Sequence, residues 1–194
     1  MDGLLAKGQA ADHINLATLE AGLPDVRRSP KDAGVVELVV RRPAENEREV
    51  LEQAELDVGV GLVGDNWGTR GSKATEDGSS HPDLQLTVMN ARSAALVAGA
   101  RERWALAGDQ LYVDFWLGYG DLPPGTRLAV GSAVIEITAE PHRGCGKFAA
   151  RFGVDALKFV NSAVGRELNL RGVNARIVEG GVVRAGDSIS RAPG

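Results

Sequence analysis

The second half of the chain is a series of short β-forming runs, each released by a glycine or proline turn, and this rhythm restricts the fold more than any other feature. The runs are Leu111–Leu117 after Gly108-Asp109, Arg127–Val130 after Pro123-Pro124-Gly125, Ala133–Ala139 after Gly131, Val173–Glu179 after Gly172 and Val182–Ile189 after Gly180-Gly181. Strands this short and this closely spaced favour a closed or partly closed barrel, because closure removes edges that would otherwise pair with other chains. The fold class expected is mainly β: a barrel-like core with a few short helices.

Upstream, Val35–Arg41 alternates with Val36, Leu38 and Val40 on one face, a strand pattern. Glu45–Leu56 fits a helix through Val50, Leu51 and Ala54, and equally a twisted strand after Pro43. Leu84–Met89 reads as a strand, and Asn90 as the N-cap of a helix over 91–104 that Gly99 weakens. Val154–Val164 carries a helical pattern, with Leu157, Val160 and Val164 aligned. Residues 1–29 form a lead-in whose brief helix (Ile14, Leu16, Leu19) is broken by Gly22, Pro24 and Pro30, and residues 30–191 form the domain. Gly59–His81 is glycine-rich and polar, a long surface loop of the kind that often carries function.

A chain of 194 residues, 43% hydrophobic and 25% charged, suits one globular domain. The net charge of −4 disfavours a nucleic-acid partner, which calls for a basic excess, but leaves room for a small anionic ligand in a local basic pocket. One cysteine cannot form an internal disulfide, and the opening residues lack the basic start and apolar run of a signal peptide. No apolar stretch approaches the ~20 residues a membrane span needs. The expectation is a soluble, cytoplasmic chain with no membrane partner.

Glu140–Gly153 carries the most chemistry. Cys145 lies between Gly144 and Gly146, with His142, Arg143 and Lys147 beside it. The glycines allow a tight turn that leaves the thiol uncovered, and cationic neighbours favour the thiolate, the form that attacks sulfur or ligates a soft metal. The plainer alternative is a buried, inert cysteine. His13, His81 and His142 are scattered and match no zinc-site spacing, and no nucleophile elbow, P-loop or dinucleotide fingerprint occurs. His142 as base to Cys145 is disfavoured, since residues three apart on a turn rarely align.

Arg151, Arg166, Arg171, Arg176 and Arg184 crowd the last quarter of the chain. Asn174 and Arg176 share a strand face just after Arg171, a set able to fork onto a phosphate and read a heterocycle edge; a solvated, charge-paired surface is the alternative. Asp65, Asn66, Trp67 and Arg70 could present a polar rim, although Gly64-Asp65, like Gly108-Asp109 and Gly186-Asp187, mainly marks a turn.

Taken in order, Gly61–Trp67, Gln85–Arg92, Leu106–Phe115, Leu122–Thr138, Pro141–Gly153 and Leu170–Asp187 resemble the MOSC domain, found at the C-terminus of molybdenum-cofactor sulfurases and as stand-alone bacterial proteins. The resemblance covers the chain from about Ser29 onward. It implies a barrel-like β fold and sets Cys145 at the family's cysteine position, where that residue is proposed to carry a persulfide or to meet molybdenum in a pterin cofactor. His142 stands where some relatives carry a cysteine directly after the proline, which the resemblance implies leaves one thiol rather than a two-thiol mechanism. Larger family members add a companion barrel and an aminotransferase-like desulfurase domain that the resemblance does not extend to, so the expectation is that a persulfide would come from a partner. Three readings follow. The first is a sulfur carrier or transferase, Cys145 loaded by a cysteine desulfurase and discharged to an acceptor, with His142, Arg143 and Lys147 favouring the anionic sulfur. The second is a molybdenum–pterin module, with Cys145 as metal ligand, Arg171, Asn174 and Arg176 on the cofactor, and Asp65, Asn66 and Arg70 at its rim. The third is a non-catalytic binding barrel.

Overall fold

The computed structural model describes residues 13–72 and 75–193. Its strands are β1 (Ala33–Arg41), β2 (Glu49–Leu51), β3 (Gln53–Asp57), β4 (Gly61–Leu62), β5 (Leu86–Asn90), β6 (Leu111–Asp114), β7 (Arg127–Val130), β8 (Ala133–Ile137), β9 (Val173–Glu179), β10 (Gly181–Arg184) and β11 (Ser188–Arg191). Seven of them close into a barrel in the order β1–β11–β7–β8–β9–β5–β6, with β6 returning to β1. β2 extends this sheet from β1, and β10, β3 and β4 make a second, three-stranded sheet. The helices are α1 (Leu16–Ala21), α2 (Leu23–Val26), α3 (Trp67–Arg70), α4 (Ala91–Ala98), α5 (Gly146–Phe152), α6 (Val154–Asn161) and α7 (Ala163–Glu167), with 3-10 turns at Pro82–Leu84 and Arg101–Ala107. The expected barrel with short helices is present, and helix and strand contribute about equally to the described residues. Among those residues, no helix is long and apolar enough to cross a membrane.

Two cores explain the pattern. The barrel interior holds Val36, Val39, Leu86, Val88, Leu111, Ile135 and Ile177, while a second core between barrel wall and helices holds Leu38, Val40, Met89, Tyr112, Phe148, Phe152 and Phe159. β1 therefore does not keep one apolar face. A register shift between Val36 and Leu38 along β6 turns Val39 inward and Leu38 and Val40 outward. β5 is buried along its whole length, as a strand covered on both faces must be. Leu19 of α1 and Val26 of α2 are also buried in the outer core.

Several sequence expectations are redrawn. Residues 45–56 follow the strand alternative: Ala54 and Leu56 alternate inward on β3, and Val50 points to solvent on β2. The predicted helix over 91–104 divides at Gly99, whose φ of 70° ends α4. Asn90 caps α4 as expected, its side chain accepting from the Ser93 amide. The predicted helix over 154–164 breaks at Ser162, which caps α7 by accepting from the Gly165 amide. α4 and the following 3-10 turn form the crossover between β5 and β6, the sheet's one parallel pair among the described residues, and deliver Gly108-Asp109 to the start of β6.

Candidate functional site

Cys145 is exposed and stands immediately before α5. Phe148 and Phe152 anchor this helix in the outer core, so the thiol rides on a fixed element although it faces solvent. The flanking glycines do different work. Gly144 passes α6 closely: a Cβ there would lie 2.9 Å from Leu157 Cδ1 and Val160 Cγ2. Asn161 also clamps its backbone, accepting from the Gly144 amide and donating to its carbonyl, each at 3.0 Å. A Cβ on Gly146 would meet nothing within 4 Å, and this open side leaves the sulfur accessible.

The thiol opens onto a cleft of about 560 Å³. The β1–β2 loop supplies Arg42 and Arg48, α3 Arg70, the β8–α5 connection His142 and Arg143, α5 Lys147 and Arg151, the approach to β9 Arg171, and β9 itself Asn174. Three of its seven cations have carboxylate partners. Arg42 pairs with Asp65 at 2.8 Å, Arg171 with Asp109 at 2.5 Å, and Lys147 with exposed Glu45. Arg48, Arg70, Arg143 and Arg151 have no carboxylate within ion-pair distance among the described residues. Burial, then repulsion from Arg151 and Arg42, hold the Arg48 guanidinium below its ordinary basicity.

The floor of the cleft is a buried polar unit. Arg171, its side chain 9% exposed, donates to Asp109 Oδ2 and to the Ala107 carbonyl, and its guanidinium lies 5.1 Å from the centre of the Phe148 ring. Burial, with Arg171 close by, pushes the pKa of His142 down to about 3. His142 is thus neutral near physiological pH and adds no positive charge beside the sulfur; Arg143 and Lys147 carry that charge.

The structure brings Cys145, His142, Arg143, Lys147, Arg171, Asn174, Asn66 and Arg70 to one cleft. It leaves out three residues of the sequence-predicted set. Asp65 is not a rim residue: its fully buried carboxylate accepts from Arg42 Nε, Nη2 and backbone amide and from the Trp67 amide. Arg176 lies two residues beyond Asn174, about 7 Å along the strand, where it is half exposed and paired with Glu136 and Asp83. Trp67, also read as rim, is buried with Nε1 donating to the His81 carbonyl. Sequence reasoning missed Arg42, Arg48 and the pairing of Asp109 with Arg171. The Arg41-Arg42 pair before Pro43 was the one local signal, and only the β1–β6 pairing joins it to the rest.

A second cleft, about 690 Å³, lies across the Pro141–Arg143 segment and shares it, Arg171 and Asn174 with the first. Its walls are more apolar, with Leu122, Ile137, Val160 and Val173, and Tyr119 stands at the rim 60% exposed.

Comparison with curated protein sequences finds no match. Among solved structures, the chain is similar to the YuaD protein from Bacillus subtilis, with 17% identity over 81% of this chain and 94% of that one and a TM-score of 0.55. YiiM from Escherichia coli aligns with 16% identity over 82% and 70% of the two chains and a TM-score of 0.53. These likenesses show a shared fold. Residues 73–190, which carry the thiol, the segment between the clefts and most of the barrel, match the family model of the MOSC domain, and the chain belongs to the MOSC domain family.

Proposed function

We propose that the chain is a sulfur carrier in which Cys145 takes a sulfane sulfur from a partner cysteine desulfurase and passes it to a small anionic acceptor held in the arginine cleft. The observation that carries this reading is the chain's only thiol, solvent-exposed, at the lip of a cleft with four arginines that lack carboxylate partners among the described residues. In loading, Cys145 Sγ attacks the outer sulfur of the donor persulfide, the donor S–S bond breaks, and the thiol proton of Cys145 passes to the departing donor thiolate. No outside oxidant is needed, and Cys145–S–SH is a reversible cap. In discharge, a nucleophilic atom of the acceptor attacks the outer sulfur, the S–S bond to Cys145 breaks, and the proton displaced from the acceptor returns to the departing Cys145 thiolate. Arginine forks suit the acceptor's anionic group, and a reducing compartment such as the cytoplasm keeps a lone thiol exchangeable.

Intact-protein mass spectrometry after incubation with a cysteine desulfurase and cysteine tests this. One added sulfur is expected on the wild type and none on Cys145→Ala. Equal gain by both sinks the carrier reading.

A second reading is favoured by the unpartnered Arg48 Nε and Asn66 Oδ1 in residues of the cleft wall. These residues suit the phosphate and heterocycle of a molybdenum–pterin cofactor, with Arg171, Asn174 and Arg70 as further contacts and Cys145 as soft thiolate ligand. Such a group supplies oxygen-atom or redox chemistry when bound. Among the described residues no three His, Cys, Asp or Glu side chains converge as metal ligands, so the pterin would bring the metal already chelated. Molybdenum and pterin analysis of protein expressed with molybdate separates this from the carrier reading; neither group should co-purify if the thiol works alone.

A further inference from the structure

The second cleft has no part in the sulfur chemistry above, yet it is built as a site. Its volume of about 690 Å³ falls in the range that accepts small organic molecules. Buried Leu122, Ile137 and Val173 make an apolar floor, and Val160 of α6 closes one side. Tyr119 is one of few large apolar side chains left open to water, and it stands at this mouth. Apolar walls with an aromatic rim favour a ring, which buries much area at little cost in conformational entropy.

The charge of the occupant follows from what the cleft borders. Its rim carries Arg143 and Arg166 against Glu140 and Glu167, equal numbers of each sign, so it selects no net charge itself. The selecting charge lies next door. Pro141, His142 and Arg143, with Arg171 and Asn174 beneath them, wall both clefts at once, so a molecule seated in the second cleft has the arginine cleft as its neighbour. An acidic group directed that way meets cations that lack carboxylate partners, whereas one directed outward meets a rim whose charges balance.

The geometry points to the second cleft as the subsite for the ring of an aromatic or heteroaromatic monoanion, held with its acidic group toward the arginine cleft. Naming this molecule as the sulfur acceptor rests on the carrier reading; the ring site itself does not. Gly120 offers a clean probe, because it lines the cleft and a Cβ there meets nothing within 4 Å, so a large side chain fits the fold while filling the mouth.

The experiment titrates naphthalene-2-carboxylate into ¹⁵N-labelled protein and maps amide shifts, with inorganic phosphate titrated separately. Saturable shifts are expected at Gly120, Thr138, Ala139, Gly165 and Gly172, with phosphate shifting amides of the arginine cleft such as Arg48 and Gly108 instead. Gly120→Trp, and independently Ala139→Trp, should weaken naphthoate binding by about tenfold or more, with amides remote from the cleft unmoved as the control for folding. The site is overturned if naphthoate shifts only the phosphate-sensitive amides, if no shift saturates, or if both variants bind like the wild type. Desulfurase loading of the wild type is scored apart: naphthoate binding without sulfur uptake keeps the ring site and overturns its role as an acceptor site.

Discussion

His142 Nδ1 stands 3.6 Å from Asp109 Oδ1, and neither atom has a hydrogen-bond partner among the described residues. That distance is too long for a hydrogen bond. Proton uptake by His142 would turn the contact into an ion pair, but burial and the adjacent Arg171 oppose the charge more strongly than Asp109 favours it. Asp109 is already committed through Oδ2 to Arg171. The imidazole is therefore an uncharged spacer between the two clefts.

This spacer makes the fold acid-sensitive. The pKa of His142 is about 3 when folded, against an ordinary 6.5. Between those values the unfolded chain binds the extra proton, so stability is full above about pH 6.5 and falls as pH drops toward 3. At full slope this is about 1.4 kcal/mol per pH unit, or some 3–6 °C of Tm in a chain of this size. Thermal melts from pH 7 to 4 should show a shallower decline for His142→Gln than for the wild type. The carboxylates common to both cancel, so parallel curves would refute the neutral imidazole.

Asp109 and Arg171 should be strongly coupled. Their side chains are 0% and 9% exposed, so removing one partner strands a buried charge. Arg171→Met should cost about 3–5 kcal/mol. Adding Asp109→Leu to that variant should recover much of the loss, because a buried pair is often nearly neutral relative to apolar replacements. Urea denaturation of the two singles and the double measures the coupling, and simple additivity would show that the pair is not a unit.

The barrel was legible because alternating runs such as 133–139 and 173–179 fix strands locally, and glycine and proline fix the turns between them. The cysteine turn was legible for the same local reason, with charge and glycine packed into a few residues. α5 was not, because a helix opening on Gly146 with one apolar pair, Phe148 and Phe152, has too weak a period to read. The arginine cleft was half legible. Arg171 and Asn174 stood out through their place at the start of a strand pattern, but Arg42 and Arg48 follow β1, which only pairing with β6 brings near Gly108. Arg176 misled for the opposite reason: strand parity matches it to Asn174, while distance along the strand and Glu136 take it elsewhere.

The two glycines beside the thiol should respond differently to alanine. Gly144→Ala brings a methyl to 2.9 Å from Leu157 and Val160, so the segment carrying the thiol or those side chains must yield; overpacking of this kind costs about 1–3 kcal/mol. Gly146 opens α5 with free space around it, and alanine there should be neutral or stabilise by up to about 1 kcal/mol. Denaturation midpoints of the two variants give the comparison. Equal losses would mean that Gly146 also serves packing.

The unpaired arginines predict a stability order that reverses with anion. Arg48 is held beside Arg151 and Arg42 with a buried, unpartnered Nε, an arrangement that destabilises the empty cleft. In chloride buffer, Arg48→Met should therefore melt at or above the wild-type temperature, since the methionine keeps the stem and removes the repulsion. Phosphate binding to the folded cleft stabilises by the logarithm of its saturation, about 1.4 kcal/mol at ten times Kd, or some 3–6 °C. At matched ionic strength the wild type should gain that increment and Arg48→Met much less of it, so the order inverts as phosphate replaces chloride. A variant that is less stable than the wild type in chloride and gains equally in phosphate would show that Arg48 serves packing, leaving the anion to the other three arginines.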